Sequence, residues 1–182
     1  GQVVASIRKL ARTATGGYQP VQLTEAINAG LDVVRHKVKL DQVDFNVDVP
    51  EDLPPIAGDV SQLGECFLNF IDNAYDAIKT KEQLITEGKL RYEAANGTPY
   101  RGTIQIAATL KDPHLPASPG SRQQRKSAAQ AGTIWIEVAD TGLGVEHEAL
   151  SKLFVPFYTT KATAEKGTGL GLYVIKKIIE AG

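Results

Sequence analysis

Residues 62–78 read QLGECFLNFIDNAYDAI, and wound at about 100° per residue they separate into two faces. Leu63, Cys66, Phe67, Phe70, Ile71, Ala74, Ala77 and Ile78 fall on one broad arc, which predicts a core-facing helix. Gln62, Glu65, Asn69, Asn73 and Asp76 form a narrow polar stripe on the other side. Asp59 stands three residues before Gln62 and marks the helix start, with the end expected near Lys79. The odd feature of the stripe is two asparagines at i and i+4, because asparagine is a mediocre helix former. A carboxamide oxygen is a hard, neutral ligand, suited to a Mg2+ ion that also holds phosphate oxygens and waters. On this helix alone a solvated polar face stays an open alternative.

Working outward, Val3, Val4, Ile7, Leu10 and Ala11 have helical spacing over residues 2–12, and Thr15-Gly16-Gly17 ends that pattern. A further helix is expected from Leu23 to Lys37, and VDFNVDV (Val43 to Val49) alternates as a half-buried strand does. Residues 80–102 are charged and partly helical, with a turn signal at Asn96-Gly97. Two strands are expected around 103–110 and 133–139. Residues 111–132 between them, rich in Pro, Ser, Gln and Ala, read as a surface insertion in a hairpin.

Three more stretches carry chemistry. VADTGLGV (Val138 to Val145) runs a strand into Asp140, with Gly142 and Gly144 at alternate positions. A carboxylate there can accept a hydrogen bond from an exocyclic amine such as adenine N6, and a plain turn capped by Asp140 is the alternative. LFVPFYTTK (Leu153 to Lys161) sets Phe154 and Phe157 around a proline, ahead of a small, polar, charged segment suited to a loop over a ligand. EKGTGLGLYVIKKIIEAG (Glu165 to Gly182) alternates Gly167, Gly169 and Gly171 before an amphipathic helix. Glycine permits close approach to the backbone, and a helix N-terminus suits phosphate. The G-x-G-x-G spacing is neither a dinucleotide fingerprint nor a P-loop.

The chain has 182 residues, 42% hydrophobic and 23% charged, which suits one globular core. A net charge of -1 gives no reason for a nucleic-acid partner. The single cysteine, Cys66, excludes an internal disulfide and a zinc cluster. No apolar run approaches membrane-spanning length.

In this order the pieces resemble the catalytic ATP-binding domain of sensor histidine kinases, a branch of the GHKL ATPase superfamily. The resemblance rests on NFIDNAYDA (Asn69 to Ala77), DTGLG (Asp140 to Gly144), FVPFYTTK (Phe154 to Lys161) and GTGLGL (Gly167 to Leu172), and spans about residues 20–182. It implies an α/β fold, a two-layer sandwich of a mixed β-sheet with helices on one face, preceded by a helical fragment. Residues 1–16 would be the end of a dimerisation helix and its linker. Residues 17–182 would be the catalytic domain, lacking the last strands usual in the fold.

The resemblance implies ATP and Mg2+ as ligands, with Asn73 on the metal and Asn69 supporting the metal or the phosphates. Asp140 would read the adenine amino group, and Gly142, Gly144 and Val145 would shape the base pocket. Phe154 and Phe157 would anchor a lid that carries Lys161. Gly167, Thr168, Gly169, Leu170 and Gly171 would cradle the phosphates. Asp76 counts among the nucleotide-site positions, although many kinases have lysine or arginine there. Implied partners are a histidine-bearing dimerisation domain of the same parent and a response regulator. The parent would be a homodimer, soluble or membrane-anchored, with this domain in the cytoplasm.

Gyrase and MutL relatives carry a glutamate at the position of Asn69, where it activates the attacking water. A carboxamide is a poor base, which favours phosphoryl transfer over hydrolysis. His36, His114 and His147 lack the acidic neighbour and downstream proline of a phosphoacceptor motif, so this chain is not expected to phosphorylate itself. A GHKL ATPase of the gyrase or MutL kind and a degenerate sensor or scaffold domain are the alternatives.

Overall fold

The long helix forms where its two-faced pattern puts it, and the other elements gather on its apolar arc. The computed structural model describes residues 2–7, 19–40, 43–93, 97–111, 133–159 and 169–181. In chain order these hold β1 (Gln2–Ile7), β2 (Gln19–Val21), α1 (Leu23–Leu40), β3 (Asp44–Asp48) and β4 (Ile56–Gly58). Then come α2 (Val60–Thr86), β5 (Thr103–Lys111), β6 (Thr133–Asp140), α3 (His147–Leu150) and α4 (Gly171–Ala181).

Among the described residues the main sheet runs β1-β6-β5-β3. β6 is antiparallel to both β1 and β5, and β3 is parallel to β5, so the sheet is mixed as expected. Its inner face presents Ile104, Ile106, Ala108, Ile134, Ile136 and Val138, all buried with Phe67, Phe70, Ile71 and Ile78 of α2 and Ile175 of α4. On the outer face Gln105, Thr109 and Trp135 are exposed, and the Lys111 ammonium lies 3.7 Å from the centre of the Trp135 ring. This period-two alternation makes a one-sided sheet with helices on the buried face. A small antiparallel pair, β2 with β4, joins the start of α1 to the start of α2. Asp59 caps α2 as its position predicts, its Oδ1 accepting from the Gln62 N–H at 2.9 Å.

Two expectations are corrected. Gln2–Ile7 is a strand rather than a helix, registered from Gln2↔Ala139 to Ile7↔Ile134. A short apolar run rich in Val and Ile fits both periods, and pairing with the β6 edge decides in favour of the strand. The rest of the stretch read as helical, residues 8–12, lies outside the described residues. The second correction is the end of α2, which passes Lys79 and continues to Thr86. Lys79 pairs with Glu82, and the Thr86 hydroxyl donates to the Glu82 carbonyl at 2.9 Å, local contacts that support the extra turns. The insertion expected at 111–132 lies outside the described residues apart from Lys111.

α1 and α2 touch backbone to backbone. A Cβ on Gly30 would stand 2.8 Å from the Gly64 carbonyl oxygen and 2.9 Å from the Leu68 nitrogen. Gly30→Ala gains up to about 1 kcal/mol of helix propensity and costs about 1–3 kcal/mol of overpacking against atoms that cannot rotate away. A net loss is expected, read as a lower chemical-denaturation midpoint. An unchanged or higher midpoint would mean that the helices do not meet there.

Candidate functional site

The polar stripe of α2 is where the sequence motifs meet. Asn69 and Asn73 are half-buried on adjacent turns and share one face. The Asn69 amide nitrogen donates to the Glu65 carbonyl at 2.9 Å, which turns its Oδ1 away from its own helix. That oxygen faces the start of α4, because a Cβ on Gly171 would stand 2.9 Å from it. Only a residue without a side chain lets the helix begin so close. The first turn of α4 closes with the Val174 N–H donating to Leu170 at 2.8 Å. Its N-terminal N–H groups have no partner within the helix and carry partial positive charge. A carboxamide oxygen and a helix N-terminus therefore lie side by side, which suits a cation held together with phosphate oxygens.

The DTGLG turn docks on the same helix, one turn beyond Asn73. A Cβ on Gly142 would lie 2.6 Å from the Ala77 Cβ, and the Leu143 N–H donates to the Ala77 carbonyl at 3.2 Å. Asp140 ends β6 half-buried, and the Gly142 N–H donates to its Oδ1 at 2.8 Å. Burial pushes the Asp140 carboxyl above the ordinary aspartate value, against the Gly142 hydrogen bond and the nearby Lys81 charge. Gly144 follows at φ 83° and Val145 is exposed beside it. Asp76 is half-buried one turn along the stripe from Asn73.

The FVPFYTTK segment carries its two phenylalanines on the surface. Phe154 is 41% exposed and Phe157 75% exposed. Phe157 has φ 64°, the one left-handed non-glycine residue among the described ones. Its backbone, rather than its ring, makes the contact, since a Cβ on Gly169 would lie 2.5 Å from the Phe157 carbonyl carbon. The two phenylalanines therefore do not anchor the segment through the core. Lys161, Gly167 and Thr168 lie outside the described residues.

Two side chains that motif reading passed over also reach the site. Lys81 Nζ and the Tyr100 hydroxyl both donate to the Thr141 carbonyl, at 2.7 and 2.9 Å. Both belong to the charged stretch 80–102, Lys81 on the last turns of α2 and Tyr100 ahead of β5, and nothing in its local pattern pairs them with a turn 60 and 41 residues away. Cys66 is buried on the core arc as read, its thiol pushed up to about 11 by burial and secondarily by the Glu65 charge. His147 is exposed, and His36 and His114 lie beyond the described side chains. No three His, Cys, Asp or Glu side chains gather around a metal position among the described residues. No described helix is long and apolar enough to cross a membrane.

Because the folded chain raises the Asp140 pKa, protonation favours folding and ionisation opposes it. Without nucleotide, Asp140→Asn should melt higher than the parent chain above the folded-state pKa. That advantage should shrink as pH falls through this value and vanish below the ordinary aspartate value of 3.8. Thermal melts across that range check it, and a pH-independent difference would contradict the burial assigned to this carboxyl.

The model of the histidine kinase-, DNA gyrase B- and HSP90-like ATPase family matches residues 58–182. Sensor kinase CckA of Brucella abortus is 28% identical over 98% of this chain and 16% of its own length. Sporulation kinase E of Bacillus subtilis is 27% identical over 98% of this chain and 19% of its own length. Sensor histidine kinase ZraS of Escherichia coli K12 is 27% identical over 98% of this chain and 30% of its own length. The chain thus spans less than a third of these curated relatives. The catalytic domain of histidine kinase ThkA superposes with a TM-score of 0.58 at 22% identity, covering 91% of this chain and 82% of that one. Full-length ShkA, solved in complex with AMPPNP, superposes with a TM-score of 0.56 at 21% identity, covering 92% of this chain and 27% of that one. The matched segment runs from the β4 end through α2 and the DTGLG turn to α4, and the chain belongs to the histidine kinase-, DNA gyrase B- and HSP90-like ATPase family.

Proposed function

We propose that this chain is the ATP/Mg2+-binding catalytic domain of a sensor histidine kinase, delivering the ATP γ-phosphoryl group to a histidine on a dimerisation domain of the same parent. The observation that carries the reading is the Asn69 carboxamide oxygen set against the first residue of α4. A water-activating carboxylate at that position would favour hydrolysis, and a neutral acceptor instead favours holding the nucleotide.

In this reading Asn73 binds the metal and Asn69 supports the metal or the phosphates. Both fit a hard ion that takes its other ligands from phosphate and water. Mg2+, when bound, neutralises charge on the β- and γ-phosphates. The N-terminal turn of α4, with Gly169, Leu170 and Gly171, receives the phosphate oxygens, and Asp140 accepts a hydrogen bond from the adenine 6-amino group. Transfer breaks the bond from the γ-phosphorus to its bridging oxygen and forms a P–N bond to imidazole, with ADP leaving. The nucleophile and the base that takes its proton come from outside this chain, so its own contribution is positioning and charge neutralisation. The phosphoryl group then passes to a response regulator, and the parent acts as a homodimer with this domain in the cytoplasm. Gln2–Ile7, as an edge strand of the main sheet, belongs to this domain rather than to the end of a dimerisation helix.

The test is to mix the chain with the parent's histidine-bearing domain and ATP labelled at the γ-position. Acid-labile, base-stable label on that domain is expected, with steady hydrolysis near background. Asn73→Ala should slow transfer about 100-fold or more, on the order of 3 kcal/mol of barrier. Steady turnover without transfer would move the reading to a GHKL ATPase. Transfer unaffected by the substitution would remove Asn73 from the metal.

A further inference from the structure

The Thr141–Gly142 peptide unit is gripped at both ends. Its carbonyl accepts from Lys81 Nζ at 2.7 Å and from the Tyr100 hydroxyl at 2.9 Å, which fills both lone pairs of one oxygen. Its N–H donates to Asp140 Oδ1 at 2.8 Å. Because the peptide is planar, fixing the carbonyl fixes the direction in which that N–H points. Donors on the carbonyl also polarise the unit and strengthen its N–H as a donor.

The two gripping side chains arrive from different elements and hold each other. Lys81 sits on the part of α2 that runs past Lys79, with its ammonium 4.9 Å from the centre of the Tyr100 ring. The Tyr92 ring meets Tyr100 edge-on at 5.4 Å. Tyr100 is anchored from the other side by the chain leading into β5, where the neighbouring Arg101 makes a two-point ion pair with Asp44 at 2.6 and 2.7 Å. Thr141 is tied to that same strand, its N–H donating to the Thr103 carbonyl at 3.1 Å and its hydroxyl accepting from the Thr103 N–H at 2.8 Å. Such convergence on one carbonyl at an exposed turn exceeds what the turn needs, since water would satisfy that oxygen.

We infer that Lys81 and Tyr100 are positioning residues that orient the Asp140 carboxylate through the Thr141–Gly142 peptide, and so set selectivity for a purine bearing a 6-amino group. The inference rests on the assignment of Asp140 to the base. The positive charge of Lys81 also favours the ionised, acceptor form of Asp140 against its burial.

The test measures the affinity of the 182-residue chain for ATP and for purine riboside 5′-triphosphate, which lacks only the 6-amino group. The parent chain should prefer ATP, and Asp140→Asn should remove that preference. Tyr100→Phe and Lys81→Met should each reduce it by about three- to tenfold, the worth of one well-placed hydrogen bond, by weakening ATP and leaving the other nucleotide unchanged. Lys81→Arg, which keeps the charge and a donor, should retain it. If Asp140→Asn removes the preference while Tyr100→Phe and Lys81→Met preserve it, the positioning role is wrong and the base assignment stands. Equal weakening of both nucleotides would reduce the pair to a structural prop. A parent chain without preference would remove the base assignment and this inference with it.

Discussion

α2 has to satisfy two demands with one rotation about its axis. Its apolar arc, from Leu63 to Ile78, is buried against the isoleucines of β5 and β6, and turning it would expose several large side chains at about 1.5–3 kcal/mol each. That burial fixes which way the opposite stripe points, and the stripe carries Asn69 and Asn73. The rest of the site is built by contacts to this helix. The DTGLG turn hangs from the Ala77 carbonyl, and α4 begins against the Asn69 side chain. Hydrophobic packing on one face of α2 thus positions the site on the other, where Gly142 and Gly171 stand too close to the helix for a Cβ.

Much of this was legible because the signals are local. A 3.6-residue period identifies α2 and its two faces, and Asp59 marks its start. Strands β3, β5 and β6 follow from alternation, and the glycines at 142 and 171 stand where side chains do not fit. Gln2–Ile7 was misread because its period is ambiguous over six residues and the deciding partner, β6, lies more than a hundred residues away. The three-residue strands β2 and β4 are too short to show a period, and only their pairing defines them.

The site was less legible than the fold in two respects. The phenylalanines around Pro156 suggested an apolar anchor, yet their rings are exposed and the Phe157 backbone meets Gly169, a contact that depends on a left-handed φ no motif reveals. Lys81 and Tyr100 were invisible because their role exists only once α2 has run past Lys79 and β5 has returned beside β6. The turn around Asp140 is thereby held by residues that belong to no nucleotide motif. Burial disfavours the Asp140 charge, and the Gly142 N–H and Lys81 offset only part of that effect.

On the proposed reading, the carboxamide face of α2 and the N-terminus of α4 together hold a metal and phosphates. Calorimetric titration of the chain with AMPPNP, with and without Mg2+, tests it most directly. Binding should tighten by about tenfold or more when Mg2+ is present, at least about 1.4 kcal/mol. Equal affinity in both conditions, or no binding by a chain whose circular dichroism shows it folded, would contradict it.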